Sequence, residues 1–288
     1  MDPRIWQIAT LSTLLAYGTL FLGFPVGVLE LLAILGAAIG TQWLAARAGL
    51  CERFDPRSAG TSALSLAILL RASQPWIVPL AAAFAVASKF ALRARGKHLW
   101  NPSALAIAAA VVLSGEAWLS PGQWGSTAWF ACFVAGFGGL VVFRAERSDV
   151  TWAFALFWCA LVFGRSLWIG EPPRVPLYRL QDGGLLLFTF FMISDPKTTP
   201  DSRTGRIAFA GLVASVAFVL KFGFQIHAGL VFALVLSAPL VPVLDRWLPG
   251  RRYVWPRLGG RRAQQGVLHE HDHTIPGADR PGHGLARA

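Results

Sequence analysis

Charge is scarce in this sequence, and so are the motifs by which soluble enzymes are usually identified. Only 14% of the 288 residues are charged, whereas 55% are hydrophobic, and the mean hydropathy is +0.52. The sequence contains no P-loop, no dinucleotide-binding glycine pattern, no zincin helix and no nucleophile–base pair. These absences exclude an ordinary soluble domain and leave no self-contained catalytic site to recognise.

Cysteine is also rare. Cys51, Cys132 and Cys159 are scattered, without the CxxC spacing of zinc or iron–sulfur sites, and an odd number offers no disulfide framework. The histidine-rich stretch 269–273 would bind a divalent metal only weakly, because no supporting ligands surround it. We therefore predict no metal site. The first ten residues lack the basic region and cleavage site of a signal peptide, so the first helix is expected to be retained.

Apolar segments, in contrast, are abundant. Ten can be delimited, at about 6–24, 26–46, 59–70, 75–92, 102–114, 124–143, 150–169, 183–194, 207–224 and 227–244. Three of them (59–70, 102–114 and 183–194) have only about 12 or 13 residues, whereas a helix needs roughly 20 to cross a bilayer. We predict an all-α, polytopic membrane protein with about ten transmembrane helices, including short or broken ones.

The distribution of basic residues predicts the orientation. With the N-terminus in the cytoplasm, 20 of the 26 Lys and Arg residues fall on the inner side and three on the outer side. This bias predicts cytoplasmic N- and C-termini and a multi-pass protein of the bacterial inner (plasma) membrane. Because topology explains the net charge of +11, no nucleic-acid partner is needed. We expect residues 1–245 to form the transmembrane domain, and 246–288 a basic, His-containing, disordered cytoplasmic tail whose first part faces anionic headgroups.

A weak internal repeat is present. Residues 65–75 resemble residues 186–196, since both are short apolar runs that break into a polar turn containing proline. Five segments before residue 124 and five after it place these runs third in each half. An odd number of spans inverts the second copy, which predicts a 5+5 inverted repeat of the kind found in transporters. Two unrelated hairpins would give the same similarity, so this alternative stays open.

The first of two polar inserts spans residues 96–103. Asn101 precedes Pro102 and an apolar run, which predicts that Asn101 caps a helix whose first residue is Pro102. The free N–H groups of such a helix end suit a phosphate, a carboxylate or a reduced quinoid oxygen. The neighbouring polar side chains are those of Lys97, His98 and Ser103. The alternative interpretation is a well-capped helix with interfacial bases.

The second insert spans residues 194–206. Asp195 and Pro196 end one helix, because proline removes a hydrogen-bond donor and restricts the residue before it. Asp201 or Ser202 can cap a helix that begins near Arg203, and Thr198 offers a hydroxyl. Arg203 and Arg206 lie three residues apart, so they share a helix face that can bind a phosphate. Alternatively, both arginines are inside-facing anchors that pair with Asp195 and Asp201.

Three ionisable residues lie in or beside apolar segments. Lys89, Lys221 and His227 each invite a functional hypothesis, because a charge at membrane depth is costly. All three are close enough to segment ends for their polar atoms to reach the interface, so an interfacial position is the alternative to a functional one.

Together the two inserts resemble the NqrB/RnfD family, integral membrane subunits of sodium-pumping NADH:quinone oxidoreductases and Rnf complexes. The similar features are the turn Lys97–Ser103, the segment Ile193–Pro200 and the pair Gly205–Arg206. The resemblance covers about residues 50–245 and implies a ten-helix subunit that holds flavin and relays electrons with other membrane or redox subunits. Family members in the pumps attach FMN to the threonine of a Ser-Gly-Ala-Thr motif. That motif is missing between the inserts, and Ser58–Thr61 is a scrambled near-match in the wrong place.

The resemblance therefore implies a short, UnbU-like member that binds flavin (FMN or riboflavin) or quinone non-covalently. The residues expected to contact the cofactor are Lys97, His98, Asn101, Pro102, Ser103, Asp195, Pro196, Thr198, Arg203 and Arg206. Asp195 is expected to orient one of the bases. Two other functions stay open: a small-solute or ion transporter or channel that is built on an inverted-repeat fold without a redox cofactor, and a membrane scaffold that has lost its cofactor.

Overall fold

The computed structural model describes residues 2–51, 54–94, 96–120 and 128–254, and the side chains of these ranges apart from 128–135. Most of the predicted tail, including the histidine-rich stretch, lies outside the described residues. Contacts within the chain group Pro3–Tyr253 into one compact unit. This unit extends beyond the predicted domain boundary at residue 245.

Helices make up most of the described structure. In the first half they are α1 (Pro3–Phe21), α2 (Val28–Arg47), α3 (Pro56–Leu69), α4 (Ile77–Ala91) and α5 (Pro102–Ser114). In the second half they are α6 (Ala128–Arg144), α7 (Ser148–Ile169), α8 (Arg174–Leu180), α9 (Gly183–Leu187), α10 (Arg203–Phe218), α11 (Gly229–Ser237) and α12 (Val241–Trp247). A π-helical segment, Phe188–Met192, continues α9, another, Val219–Gly223, continues α10, and a 3-10 turn, Ala238–Leu240, joins α11 to α12.

Four helical stretches of the described chain are long and apolar enough to cross a membrane. They are Val28–Arg47, Ser148–Ile169, Arg203–Gly223 and Gly229–Trp247. Together with the high helix content, they confirm the prediction of an all-α, polytopic membrane protein. The three short predicted segments coincide with α3, α5 and α9 with its π-helical extension. The total of ten spans, the inverted repeat and the orientation stay predictions.

Local sequence explains how the short helices begin and end. The Asp55 carboxylate caps α3 by accepting a hydrogen bond from the Arg57 N–H, and Pro56 occupies the first turn, where an N–H is not needed. At the other end, strand β1 (Leu70–Ala72) pairs antiparallel with β4 (Ala117–Leu119), which follows α5. The buried Arg71 side chain donates to the carbonyls of Ala67 and Leu70. A base at a helix C-terminus satisfies carbonyls that lack helical partners.

The short helix α5 contacts α3, α4 and α11. Its first half is lined by small buried side chains, among them Ala104, Ala106 and Ala108. Small residues let helix backbones approach closely where lipid provides no hydrophobic driving force. In the second half the most extensive pairing is between α7 and α10. This packing brings the starts of α5, α7 and α10 to one end of the bundle, which we term the insert end.

Candidate functional site

The first insert (residues 96–103) is a tight hairpin followed by a helix start. Strands β2 (Arg93–Ala94) and β3 (Lys97–His98) pair antiparallel, and Gly96 turns the chain at φ +75°, in the left-handed region that favours glycine. The Asn101 side chain accepts a hydrogen bond from the Ala104 N–H at 3.0 Å. Pro102 occupies the first helical position. The predicted cap is therefore confirmed.

The second insert (residues 194–206) folds around Asp195. Its backbone carbonyl accepts from the N–H groups of Thr198 and Thr199 and from both threonine hydroxyls. Its carboxylate accepts from the Lys197 N–H at 3.0 Å, which is the local bonding that stabilises an Asx turn. Ser202 caps α10 by accepting from the Gly205 N–H. Of the two predicted caps for this helix, the structure uses Ser202.

The two inserts meet. The buried Asn101 amide donates to the Met192 carbonyl at 3.3 Å and to the Asp195 carboxylate at 3.4 Å. These contacts join residues more than 90 positions apart. A cap residue that also bonds the end of the other broken helix fixes the relative position of both helix breaks. Asn101 is therefore the structural link between the inserts.

A second link is an ion-pair network centred on Lys97. Its ammonium donates to the Thr199 carbonyl and to the carboxylates of Asp201 and Asp245, each at 2.9 Å. The three charged side chains are only 11%, 13% and 12% exposed. Asp245 lies in α12 and also accepts from the Asp201 N–H at 2.7 Å. Lys97 thus ties the first insert, the second insert and the last helix together.

Arg206 makes the third set of contacts, with the start of α7. Its guanidinium donates three hydrogen bonds of 2.5–2.9 Å to the Asp149 carboxylate and one of 2.8 Å to the Asp201 carbonyl. The neighbouring buried Arg147 donates to the Thr199 hydroxyl at 3.1 Å and to the Pro196 carbonyl at 3.5 Å. A planar guanidinium suits such multiple bonding to carboxylate and carbonyl oxygens. Both arginines therefore hold the second insert in place.

The predicted pairing of the arginines with Asp195 and Asp201 is not what forms. Arg206 binds the side chain of Asp149 and only the backbone of Asp201. Among the described residues, the Asp195 carboxylate makes no hydrogen bond with either arginine; its partners are the Asn101 amide and the Lys197 N–H. Asp195 therefore orients the first insert rather than a base. Arg203 is exposed, and the hydrogen bonds that join the inserts do not involve its side chain.

Lys89 lies inside the helix bundle. Its side chain is buried, with 5% exposed. Its ammonium donates to the hydroxyls of Ser58 and Ser62 and to the Ser58 carbonyl. Lys221, in contrast, is partly exposed beside Asp182, and His227 is exposed.

The remaining predicted residues line the same region. The His98 Nδ1 atom lies 3.0 Å from the Lys89 carbonyl. Burial lowers the pKa of His98 below its usual value, although the nearby Asp195 carboxylate acts in the opposite direction. Ser103 and Thr198 are buried. Burial and the nearby Arg252 lower the pKa of Lys197.

A segment after the last helix (residues 248–253, the closing segment) covers the second insert. A Cβ atom at Gly250 would lie less than 3.0 Å from the backbone of Asp201 and Ser202, so only glycine allows this approach. The Lys197 ammonium donates to the Tyr253 carbonyl at 3.3 Å, and the Arg147 guanidinium lies 4.9 Å from the Tyr253 ring centre. Part of the sequence assigned to the tail thus belongs to the site.

An open groove of about 1190 Å³ adjoins this network between α6, α7 and α10. Asp149 lies in its wall, so the Arg206–Asp149 pair connects the insert network to the groove. Two exposed cations, Arg144 and Arg203, stand at its edge with the exposed acid Glu146. The aromatic lining consists of Phe143, Trp152 and Phe157. Apolar rings beside cations suit an amphipathic ligand with a flat ring and an anionic group.

Several important residues were missed at the level of sequence. Asp149 and Asp245 complete the network, and Ser58 and Ser62 bind Lys89. Asp149 and Asp245 could have been noticed because both flank apolar segments on the side of the membrane predicted to carry most of the basic residues. Acidic residues on that side are expected to pair with basic ones, although the sequence does not specify which.

Comparison with known proteins gives one matching family. The model described as the NQR2, RnfD, RnfE family matches residues 112–254, a range that contains the second insert and begins after the first. Three relatives each carry a name that makes them a component of an ion-translocating oxidoreductase complex. The relative from Stutzerimonas stutzeri is 39% identical over 77 residues, covering 27% of this chain and 22% of that protein.

The other two relatives match over longer stretches. The one from Cronobacter sakazakii is 28% identical over 174 residues, which cover 58% of this chain and 45% of that protein. The one from Cellvibrio japonicus is 28% identical over 144 residues, which cover 47% of this chain and 39% of that protein. The aligned regions thus span less than half the length of these relatives. With its apolar helices and its broken-helix inserts, the chain belongs to the NQR2, RnfD, RnfE family, as its resemblance to NqrB and RnfD predicted.

Proposed function

We propose that this protein is an inner-membrane subunit of an electron-transport system, and that it binds a flavin or a quinone non-covalently and works with other redox subunits. Family membership supports this proposal, as do the relatives named as components of an ion-translocating oxidoreductase complex. No NADH-binding pattern is present in the sequence, so electrons would arrive from a partner. The cofactor, when bound, supplies the electron chemistry.

The groove beside the inserts is the observation that carries the cofactor proposal. Between the inserts themselves, Lys97 and Arg206 are already bonded to carboxylates, and Asn101 is used as a cap and a link. These residues fit a structural role better than direct contact with a cofactor. Arg144 and Arg203 have exposed side chains and stand beside aromatic rings in a groove large enough for a tricyclic ring. Of the ten predicted residues, Arg203 is therefore the one we assign to direct contact.

In this arrangement each group has a defined task. Arg144 and Arg203 neutralise a phosphate or the anionic form of a reduced ring, because opposite charges attract strongly near an apolar surface. The ring of Trp152, which makes an edge contact with Phe190 at 6.5 Å, offers a flat face for stacking. The Asp149–Arg206 pair holds the wall of the groove against the insert network.

An absorbance and fluorescence spectrum of the detergent-purified protein tests the proposal, repeated on the supernatant after acid precipitation. We expect flavin in the supernatant, or saturable binding of added flavin or quinone. The double variant Arg144→Ala/Arg203→Ala should weaken this binding at least about tenfold, the effect of roughly 1.4 kcal/mol. Arg174→Ala, which removes an exposed base from α8, is the matched control and should bind normally.

Each other outcome has a clear meaning. Flavin retained in the pellet would indicate covalent attachment and contradict non-covalent binding. Normal binding in the double variant would overturn the assignment of the groove. A colourless protein that takes up neither flavin nor quinone would overturn the redox function and favour the transporter alternative. That alternative can be tested by measuring solute uptake into liposomes that contain the protein.

A further inference from the structure

Within the part of the chain that the structure describes, the hydrogen-bond acceptors of the buried Lys89 ammonium are neutral oxygen atoms. Its Nζ atom lies 2.6 Å from the Ser58 carbonyl, 3.0 Å from the Ser58 hydroxyl and 2.9 Å from the Ser62 hydroxyl. All three oxygens belong to the beginning of α3, in the stretch that includes the scrambled Ser58–Thr61 motif. The Ser62 hydroxyl donates to the Ser58 carbonyl at 3.2 Å, so its lone pairs face the ammonium. Three N–H donors of an ammonium group thus meet three acceptors.

The environment of Lys89 has opposing effects on its charge. Burial disfavours the charge most strongly, Asp195 and Asp55 attract it through space, and Arg4 repels it. Among the described residues, neither carboxylate forms a direct salt bridge with Lys89. The His98 ring contacts the Lys89 backbone carbonyl. Because the N-terminal end of a helix disfavours positive charge, the two carboxylates and the three oxygen atoms are the described groups that attract the ammonium.

A carbonyl and two hydroxyls at such distances are also the groups that bind dissolved alkali cations in membrane proteins. A lysine that reaches the same oxygens carries the same charge but cannot dissociate. We propose that the Lys89 ammonium is a tethered cation that fills a monovalent-cation site formed by Ser58 and Ser62. The charge balance beside Asp195 is then maintained without a dissolved sodium or potassium ion.

The experiment removes the tether. Lys89→Ala leaves the three oxygens and opens space for an ion. Thermal unfolding of the purified protein is followed in sodium, potassium, methylammonium and choline chloride at one ionic strength. We expect the wild type to melt at one temperature in all four salts. The variant should melt lower in choline and recover by at least about 3 °C in one of the smaller cations, with a saturable dependence.

Lys221→Ala serves as the matched control, because it removes the other lysine in an apolar helix, one that is partly exposed beside Asp182. It should show no difference among the four salts. A folded Lys89→Ala variant with the same melting temperature in all four would overturn the proposal. A wild type that responds to sodium as the variant does would overturn it equally.

A second pair of variants decides the question if Lys89→Ala does not fold. Lys89→Gln removes a positive charge that Asp195 attracts through space, and Asp195→Asn removes the carboxylate. We expect Lys89→Gln/Asp195→Asn to melt higher than the sum of the single effects predicts, because the unbalanced charge is gone. Strictly additive effects would show that Lys89 acts by packing alone. Neither experiment needs a redox cofactor, so its failure is distinct from failure of the proposed function.

Discussion

Lys97 offers the sharpest test of how the two inserts are held together. Replacing it with methionine keeps most of the side-chain volume and removes the ammonium. The change leaves Asp201 and Asp245 as two carboxylates in a largely buried region, 13% and 12% exposed, without the base that joins them. It also removes a hydrogen bond to the Thr199 carbonyl. The first insert thereby loses its only described charged contact with α12.

The expected cost follows from burial. Breaking a buried ion pair by removing one partner destabilises a protein by about 3–5 kcal/mol, because the other charge stays unpaired in a poor solvent. The side chains of Lys97 and its partners are not fully buried, so the lower limit, about 3 kcal/mol, applies. At about 2–4 °C per kcal/mol for a chain of this size class, the melting temperature should fall by about 6–12 °C.

The assay is thermal unfolding in detergent, followed by the fluorescence of the 12 tryptophans. Lys221→Met is the control: its ammonium lies 3.5 Å from Asp182, both side chains are about 30% exposed, and its loss should cost less than about 1 kcal/mol. Lys97→Met/Asp245→Asn should recover part of the stability, since one unpaired charge is neutralised. If Lys97→Met melts no lower than Lys221→Met, the network does not stabilise the insert end.

Two further predictions concern other charged contacts. Arg206→Lys should lower stability by about 1–2 kcal/mol in the same assay, because one ammonium cannot replace the three guanidinium bonds to Asp149; an unchanged melting temperature would contradict this. Glu171, bonded chiefly by Arg179, has its pKa lowered from 4.5 to about 2. A carboxylate whose pKa is lowered in the folded state stabilises the protein above pH 4.5, and this stabilisation is lost as the pH falls towards about 2. The melting temperature of Glu171→Gln should therefore decline less steeply in acid than that of the wild type.

Much of the fold could be predicted because membrane helices follow from local properties. Apolar length and composition delimit the helices, and this is why the three short segments were located correctly. Proline and the cap residues determine helix starts within a few positions, so the starts of α5 at Pro102 and of α10 at Arg203 were predicted closely. The total number of crossings was not settled in this way, because short helices do not meet the length that crossing requires.

The partners of the charged residues could not be predicted. The sequence suggested that Arg206 pairs with Asp195 or Asp201, both nearby in the chain, but the structure pairs it with Asp149, 57 positions away. The sequence also did not show that Lys89 points inwards to the oxygen atoms of Ser58 and Ser62 on another helix. Such pairings depend on which helices are neighbours, and no local pattern contains that information.

The sequence alone thus determined what kind of protein this is: an all-α membrane protein with two polar inserts at broken helices, and a member of one family. These properties follow from hydrophobicity, charge bias and turn chemistry, which act over a few residues at a time. Only the tertiary structure decided that the inserts meet through Asn101 and Lys97, and that their charges neutralise one another. It also placed Arg203 at a neighbouring groove, because long-range helix packing determines which charges remain exposed.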